Sequence, residues 1–144
     1  DSAESENVKL LATPVEELSK HLSPHSVDAI ITEPYMGPTR DPAQLNILLS
    51  ELSTLYIAAF REFAKILKPG GRVVFILPAF KVSTKLTKTS ERVLPEIKKL
   101  GFQPIRLLPS NLPNPYTLTP SPSILYSRPD QKVLREIFVF EFKP

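Results

Sequence analysis

The hydrophobic residues of this chain follow two spacings in turn. Short runs of apolar, often β-branched residues predict buried strands, and apolar residues three and four positions apart predict helices with one buried face. In chain order the predicted elements are a strand at Val8–Ala12, a helix at Pro14–His21, a strand at Val27–Thr32, a helix from Pro42 to about Leu67, a strand at Arg72–Leu77 and a helix at Ser90–Leu100. This alternation predicts an α/β fold with a doubly wound, mostly parallel sheet.

The last third of the chain has a different pattern. Phe102–Leu108 is a further predicted strand, and the proline-rich segment 109–122 predicts an irregular, extended loop within the domain. Two apolar runs, Ser123–Ser127 and Val133–Phe142, flank a turn at residues 128–131. The second run alternates apolar and polar residues, which predicts an antiparallel last strand.

Composition narrows the class of protein only modestly. The chain has 144 residues, of which 42% are hydrophobic, which indicates one globular domain or part of one. A net charge of +3 is compatible with a polyanionic partner. No apolar run approaches the roughly 20 residues of a membrane span, so we expect a cytoplasmic protein without a membrane partner.

Two kinds of metal or redox site are excluded or disfavoured. The sequence has no cysteine, which excludes disulfides and thiolate ligands. His21 and His25 are four residues apart, but Pro24 interrupts any helix that would bring them to one face. We therefore expect a polar loop there and no metal site.

The most informative segment follows the predicted strand Val27–Thr32. It consists of an acid, a proline, an aromatic residue, a methionine and a glycine, at residues 33–37. A carboxylate at the carboxyl end of a strand, followed by a stiff turn, stands where open α/β sheets bind their ligands. Glu33 is therefore the leading candidate for a catalytic residue.

This segment resembles the acidic Pro-Pro-Tyr-Gly loop of S-adenosylmethionine-dependent methyltransferases that modify exocyclic amino groups of nucleobases. Residues 67–74, with Lys-Pro-Gly-Gly, resemble the opening of the fifth strand in that family. Within it, the chain is similar to the tRNA guanine-N2 methyltransferases and the RNA or DNA methylases grouped with them. That similarity rests on residues 32–37 and on Tyr126–Pro129 followed by Arg135–Val139.

The resemblance implies a Rossmann-like domain of which residues 1–144 are the carboxyl-terminal portion, with the first two strands missing. The family's glycine-rich turn has no counterpart, because a Gly-x-Gly run occurs nowhere in the chain. The cofactor implied is S-adenosylmethionine, and the residues implied on its adenine side are Ala12, Thr13 and Thr32. Ala12-Thr13 stands where the resembled family usually has an acid. The implied partners are the missing amino-terminal half of the same enzyme or, through the uncovered sheet edge, a second copy.

The loop's implied chemistry is the orientation of an amine. The Glu33 carboxylate and the Pro34 carbonyl would accept hydrogen bonds from the amine, Tyr35 would stack on the base, and Met36 and Gly37 would lie against the substrate. Aligned on the tyrosine instead, Thr32 falls on the acid of the family. We prefer the alignment on Glu33, because the length up to Gly37 then agrees.

Basic residues further along the chain offer contacts to nucleic-acid phosphates. Lys81, Ser127 and Arg128 are the candidates, with tRNA as the implied nucleic acid. Lys85 and Lys88 lie with Lys81 in the predicted loop 78–89, and the three could form one phosphate-contacting rim or be merely solvated. Arg128 and Arg135 could instead pair with Asp130 or Glu136. Tyr116, within the proline-rich segment, is predicted to be a packing anchor rather than a stacking platform.

The function implied by the resemblance is therefore methylation of an exocyclic amino group of a nucleobase, with guanine in tRNA as the first candidate and tRNA processing as the context. Adenine in DNA or RNA and a protein amide remain alternative acceptors, because the same loop serves all of them. A non-catalytic, methyltransferase-like scaffold is the alternative from another class. We expect the isolated 144-residue chain to be inactive.

Overall fold

A computed structural model describes residues 7–38, 42–106, 109, 111 and 116–144. The strands are β1 (Val27–Thr32), β2 (Leu67–Val82), β3 (Lys85–Lys88), β4 (Phe102–Pro104), β5 (Tyr116–Leu118), β6 (Ile124–Tyr126) and β7 (Val133–Phe142). The α-helices are α1 (Leu45–Ile66) and α2 (Ser90–Lys99), and 3-10 helices occupy Val15–Lys20 and Pro42–Gln44. None of the described helices is long and apolar enough to span a bilayer.

The strands form one mixed sheet in the order β1-β2-β7-β6-β5, with β3 paired to β2 and β4 paired to β7. Strands β1 and β2 are parallel, because the long helix α1 returns the chain to the starting edge, whereas the other described pairs are antiparallel. The α/β class is confirmed, and so is the antiparallel last strand. The prediction of a mostly parallel sheet is wrong, since short turns reverse the chain after β2 and after β6.

The core lies between α1, α2 and one face of the sheet. The ring of Phe60 in α1 lies 5.0 Å from the rings of Phe75 and Phe102 and 5.2 Å from that of Phe140. Successive residues of β2 alternate between this buried face and a half-exposed opposite face. The described helices pack on the first face only, so the doubly wound arrangement is not seen in this part of the chain.

The amino-terminal part of the described chain differs from expectation. The predicted strand Val8–Ala12 is not a strand, and Val8 and Leu10 are 70% and 92% exposed. A strand needs a neighbour for its backbone hydrogen bonds, and this segment has none among the described strands. The edge strand β1 is also open to solvent, with Ile31 79% exposed.

Two further local predictions are corrected. The predicted loop 78–89 instead contains the end of β2, a tight turn and β3, in which Ala79–Val82 pair with Lys85–Lys88. The predicted helix Pro14–His21 is a 3-10 helix over Val15–Lys20. The long helix and α2 are confirmed, and the two apolar runs that flank the turn at 128–131 contain the paired strands β6 and β7.

A buried carboxylate ties the end of the sheet to α2. Glu136 of β7 is fully buried, and its carboxylate accepts hydrogen bonds from Ser90 Oγ at 2.6 Å and Ser123 Oγ at 2.7 Å. Lys88 Nζ lies 3.7 Å from the same carboxylate. The negative charge is therefore paired and hydrogen-bonded, as burial requires.

Candidate active site

Glu33 directly follows β1 and is held by a residue from the far end of the chain. Arg135 Nε of β7 donates to Glu33 Oε1 at 2.7 Å. Arg135 is paired in register with Pro78 of β2, and β2 lies between β1 and β7. The Arg135–Glu33 contact therefore crosses β2 and joins the carboxyl end of β1 to the start of β7. The side chains are 34% and 42% exposed, so the carboxylate is oriented by the guanidinium and still meets solvent. Of the alternatives left open for Arg135, the structure shows neither Asp130 nor Glu136 but Glu33 as its partner.

The backbone of the loop is fixed by a residue that the sequence analysis did not single out. Tyr56 of α1 is completely buried, and its hydroxyl donates to the Tyr35 carbonyl at 2.7 Å. Burial, with a smaller effect from Tyr35, raises the pKa of Tyr56, so the hydroxyl remains a donor across the ordinary pH range. Tyr56 follows Leu52 and precedes Phe60 on the buried stripe, and a tyrosine in such a stripe needs a polar partner. That signal was present in the sequence.

The remaining loop residues have distinct surroundings. The Tyr35 side chain is 63% exposed, whereas Pro34 and Met36 are half-buried. Gly37 has φ +85°, and a Cβ there would lie 2.6 Å from Leu48 Cδ1. Gly37 therefore lets the loop turn back closely over α1.

An apolar cleft of about 390 Å³ opens beneath the loop. It is lined by Pro14, Thr32, Pro34, Tyr35 and Phe75, among others. The cleft thus brings Thr32 together with two residues of the predicted catalytic loop. Thr13 precedes Pro14 and is half-buried, whereas Ala12 is exposed.

This cleft fits only part of S-adenosylmethionine. Its apolar walls suit the flat adenine ring, and Thr32 and Glu16 are polar side chains on its lining. The lining contains no glycine-rich turn for the amino-acid portion of the cofactor, in line with the sequence, where no Gly-x-Gly run occurs. The described lining therefore has walls suited to the adenine and no counterpart of the glycine-rich turn.

A second, cationic cleft of about 880 Å³ lies beside the turn that precedes β7. Lys81, Ser127 and Arg128, the three predicted phosphate contacts, all line it, together with Lys132 and Asp130. The Lys81 backbone N–H donates to the Lys132 carbonyl at 2.8 Å, which closes the cleft between β2 and the turn. The structure thus brings together residues that are distant in sequence.

The other lysines of the segment 78–89 lie elsewhere. Lys85 lines a separate depression beside the start of α2. Lys88 is mostly buried against Glu136, as described above. Of the three lysines considered together from the sequence, Lys81 alone lines the cationic cleft.

Neither a metal site among the described residues nor a match to a sequence family assigns a function to the chain. Among the described residues, no group of three or more His, Asp and Glu is arranged to hold a metal ion. No protein-family model matches the chain, and no curated protein matches it.

Solved structures do match. TTHA0409 of Thermus thermophilus, a proposed DNA modification methylase, superposes with a TM-score of 0.59 at 16% identity, over 92% of this chain and 52% of that one. The PvuII DNA methyltransferase, which is cytosine-N4-specific, gives 0.55 at 18% identity, over 90% and 47%. The 1,6-didemethyltoxoflavin-N1-methyltransferase of Burkholderia thailandensis gives 0.55 at 14% identity, over 97% and 53%.

The fold resembles part of a methyltransferase fold. The chain spans about half the length of each of these three solved structures. One structure of TTHA0409 is complexed with S-adenosyl-L-methionine, and the Burkholderia enzyme holds S-adenosylhomocysteine and a small-molecule acceptor. Because the same fold serves nucleic-acid and small-molecule acceptors, it does not specify the acceptor.

Proposed function

We propose that the protein containing this chain is an S-adenosylmethionine-dependent methyltransferase that acts on an exocyclic amino group of a nucleobase, with guanine in tRNA as the first candidate. The observation that carries this proposal is the position of Glu33. Its carboxylate stands at the carboxyl end of a parallel strand and is oriented by Arg135 at 2.7 Å.

The proposed chemistry follows from the weak nucleophilicity of an exocyclic amine. Its nitrogen lone pair is delocalised into the base, so the amine is a weak nucleophile until hydrogen-bond acceptors localise that pair. The second oxygen of Glu33 and the Pro34 carbonyl are the acceptors we assign to this task. S-adenosylmethionine would supply the methyl group: an N–C bond would form as the S–C bond breaks, the sulfur would keep the bonding pair as the neutral thioether, and the amine would lose one proton to solvent.

The same assignment gives roles to the surrounding residues. The exposed ring of Tyr35 would stack on the base, with Met36 and Gly37 beside it. The apolar cleft that includes Pro14 and Thr32, with Ala12 and Thr13 next to it, would take the adenine of the cofactor. Lys81, Ser127 and Arg128 would contact phosphates of the nucleic acid.

The free edge of β1 is the surface we assign to the rest of the enzyme. β1 ends the described sheet, Ile31 is exposed on it, and the matched structures are about twice as long as this chain. An added strand would satisfy the open backbone groups of β1 and cover Ile31. The amino-terminal half of the same protein is the occupant we propose; self-association of the isolated chain would use the same edge.

Two observations favour a second candidate, a non-catalytic scaffold with this fold. The acid that the resemblance leads one to expect near the adenine is replaced by Ala12-Thr13, and Arg135 occupies one oxygen of Glu33. Neither feature would impair a scaffold, because a scaffold transfers no methyl group. Methyl transfer by the full-length protein would exclude it.

The acceptor can be identified directly. The full-length protein is incubated with labelled S-adenosylmethionine and, separately, with unmodified tRNA, single-stranded DNA and a mixture of soluble proteins. Each polymer is then digested, and the labelled nucleoside or amino acid is identified by mass spectrometry. We expect label on the exocyclic nitrogen of guanine. Label on adenine or on a protein amide would move the substrate assignment, and no label on any polymer would support the scaffold.

A further inference from the structure

Three residues form a row across the open face of the sheet. Tyr116 of β5 is paired in register with Tyr126 of β6, and Tyr126 is paired with Arg135 of β7. Side chains of directly paired residues point to the same face of a sheet. Since Arg135 binds Glu33, the row leads from Tyr116 to the candidate catalytic carboxylate.

The two tyrosines form an aromatic platform. Their ring centroids are 5.2 Å apart, the planes are tilted by 39°, and Tyr116 is 40% exposed. The guanidinium of Arg128 lies 5.5 Å from the Tyr126 ring centroid, and Arg128 Nε donates to the Tyr126 hydroxyl. Exposed aromatic rings beside an arginine are what unpaired bases stack on in proteins that bind single strands.

The cationic cleft adjoins this platform. Arg128, whose guanidinium lies over the Tyr126 ring, also lines the cleft, together with Lys81 and Lys132. The one acid on its lining is Asp130, so the described lining carries a surplus of positive charge. Aromatic rings next to a cationic groove supply separate contacts for bases and for phosphates.

We propose that Tyr116, Tyr126 and Arg128, with Lys81 and Lys132, bind a single-stranded stretch of nucleic acid next to the target base. This inference rests on the proposed function, because it assigns the target base to Glu33. Bases of the flanking strand stack on the tyrosine pair, and its phosphates lie in the cationic cleft. A single strand is required because the bases of a duplex have no free faces for the tyrosines.

The test is equilibrium binding of a short fluorescent single-stranded RNA to the full-length protein, measured by anisotropy at several salt concentrations. Tyr116→Ala should weaken binding about tenfold, and Tyr116→Phe should bind like the wild type. Replacing both Lys81 and Lys132 by alanine should reduce the slope of log affinity against log salt by about 1.4. Lys99→Ala, which removes a charge from the exposed end of α2, is the matched control and should change neither quantity.

A duplex of the same sequence should bind more weakly and should not respond to Tyr116→Ala. The affinity of a single DNA strand of the same sequence, measured in the same way, shows whether the platform prefers RNA or DNA. Equal binding by wild type and Tyr116→Ala, or equal sensitivity of duplex and single strand, would overturn the inference. If Tyr116→Ala binds and methylates like the wild type, the binding inference is wrong and the proposed function stands. If Tyr116→Ala weakens binding but the wild type transfers no methyl group, the binding inference stands and the proposed reaction is wrong.

Discussion

Arg135 and Glu33 are 102 residues apart in sequence, yet Arg135 Nε lies 2.7 Å from Glu33 Oε1. The contact joins the last strand of the sheet to the end of its first. Because β7 is paired along β2, the guanidinium is carried on a rigid element and not on a loop. Arg135 therefore acts on the site through Glu33, as a positioning residue.

Replacing Arg135 by alanine should release the Glu33 carboxylate from its fixed direction. We expect kcat for methyl transfer to fall by about 100-fold, since small misplacements of a catalytic group are costly, with little change in KM for the cofactor. The free energy of unfolding should change by no more than about 1 kcal/mol, because the ion pair is half-exposed. Steady-state kinetics and denaturant unfolding measure the two effects.

Lys143→Ala is the control for Arg135→Ala. It removes a positive charge and an ion pair with Glu141, just past the other end of β7. Activity should be unchanged in this variant. If Arg135→Ala retained the wild-type kcat, the guanidinium would have no positioning role.

Tyr56→Phe should loosen the loop without opening a cavity. The change removes the hydroxyl that donates to the Tyr35 carbonyl and leaves that carbonyl without this partner. We expect a loss of about 1–3 kcal/mol in the free energy of unfolding, together with a lower kcat. Tyr116→Phe, at an exposed position, should change stability by less than about 0.5 kcal/mol. Equal stability of the wild type and Tyr56→Phe would show that the hydrogen bond does not hold the loop.

Glu62 gives the protein a stability that depends on acid pH. Burial alone would raise its pKa, but hydrogen bonds from Lys65 and Ser19 outweigh burial and lower the pKa of Glu62 to about 2 from an ordinary value of 4.5. A depressed pKa stabilises the fold above the unfolded value, and this contribution disappears as pH falls from 4.5 to about 2. Glu62→Gln should therefore be less stable than the wild type at pH 7, and the difference should shrink over that range.

Thermal unfolding of wild type and Glu62→Gln at a series of pH values measures this dependence. Glu51→Gln, at an exposed position of the same helix, is the control and should run parallel to the wild type. A stability difference between wild type and Glu62→Gln that stays constant down to pH 2 would contradict the assignment.

The 144-residue chain on its own should bind S-adenosylmethionine weakly. Its apolar cleft offers one side of an adenine site, and the glycine-rich turn of the resembled family is not in the sequence. Each missing hydrogen bond to a charged group is worth about 1.5–3 kcal/mol, so the loss of two would move a micromolar site to the millimolar range. Calorimetric titration measures this, and saturable micromolar binding would show that the cofactor contacts lie within this chain.

The sequence predicted those elements whose pattern is local. The long apolar stripe of α1 and the alternation in β7 were sufficient to predict both elements closely. The direction of pairing depends on long-range contacts, so the mixed sheet and the pairing of Lys85–Lys88 with β2 were not predicted. Val8–Ala12 has the composition of a strand, but it lacks a pairing partner among the described strands.

The same distinction applies to the candidate site. Glu33 was recognisable because the acid, the proline and the strand before them are contiguous in sequence. Its partner Arg135 and the donor Tyr56 come from other elements, and pairwise contacts over such separations leave no local pattern. Lys88 was grouped with Lys81 because both lie in the predicted loop 78–89, yet Lys88 lies against Glu136.

The most direct test of the account is the rate of methyl transfer by Glu33→Gln in the full-length protein. The change keeps the size of the side chain and removes the negative charge of the carboxylate that accepts a hydrogen bond from the amine. We predict a fall in kcat of at least about 100-fold with a folded protein, the usual loss when one preorganised polar group is removed. Glu141→Gln, a half-exposed acid near the other end of β7, should leave kcat unchanged. A kcat within about twofold of the wild type in Glu33→Gln would contradict the central claim, which is that this carboxylate orients the acceptor amine.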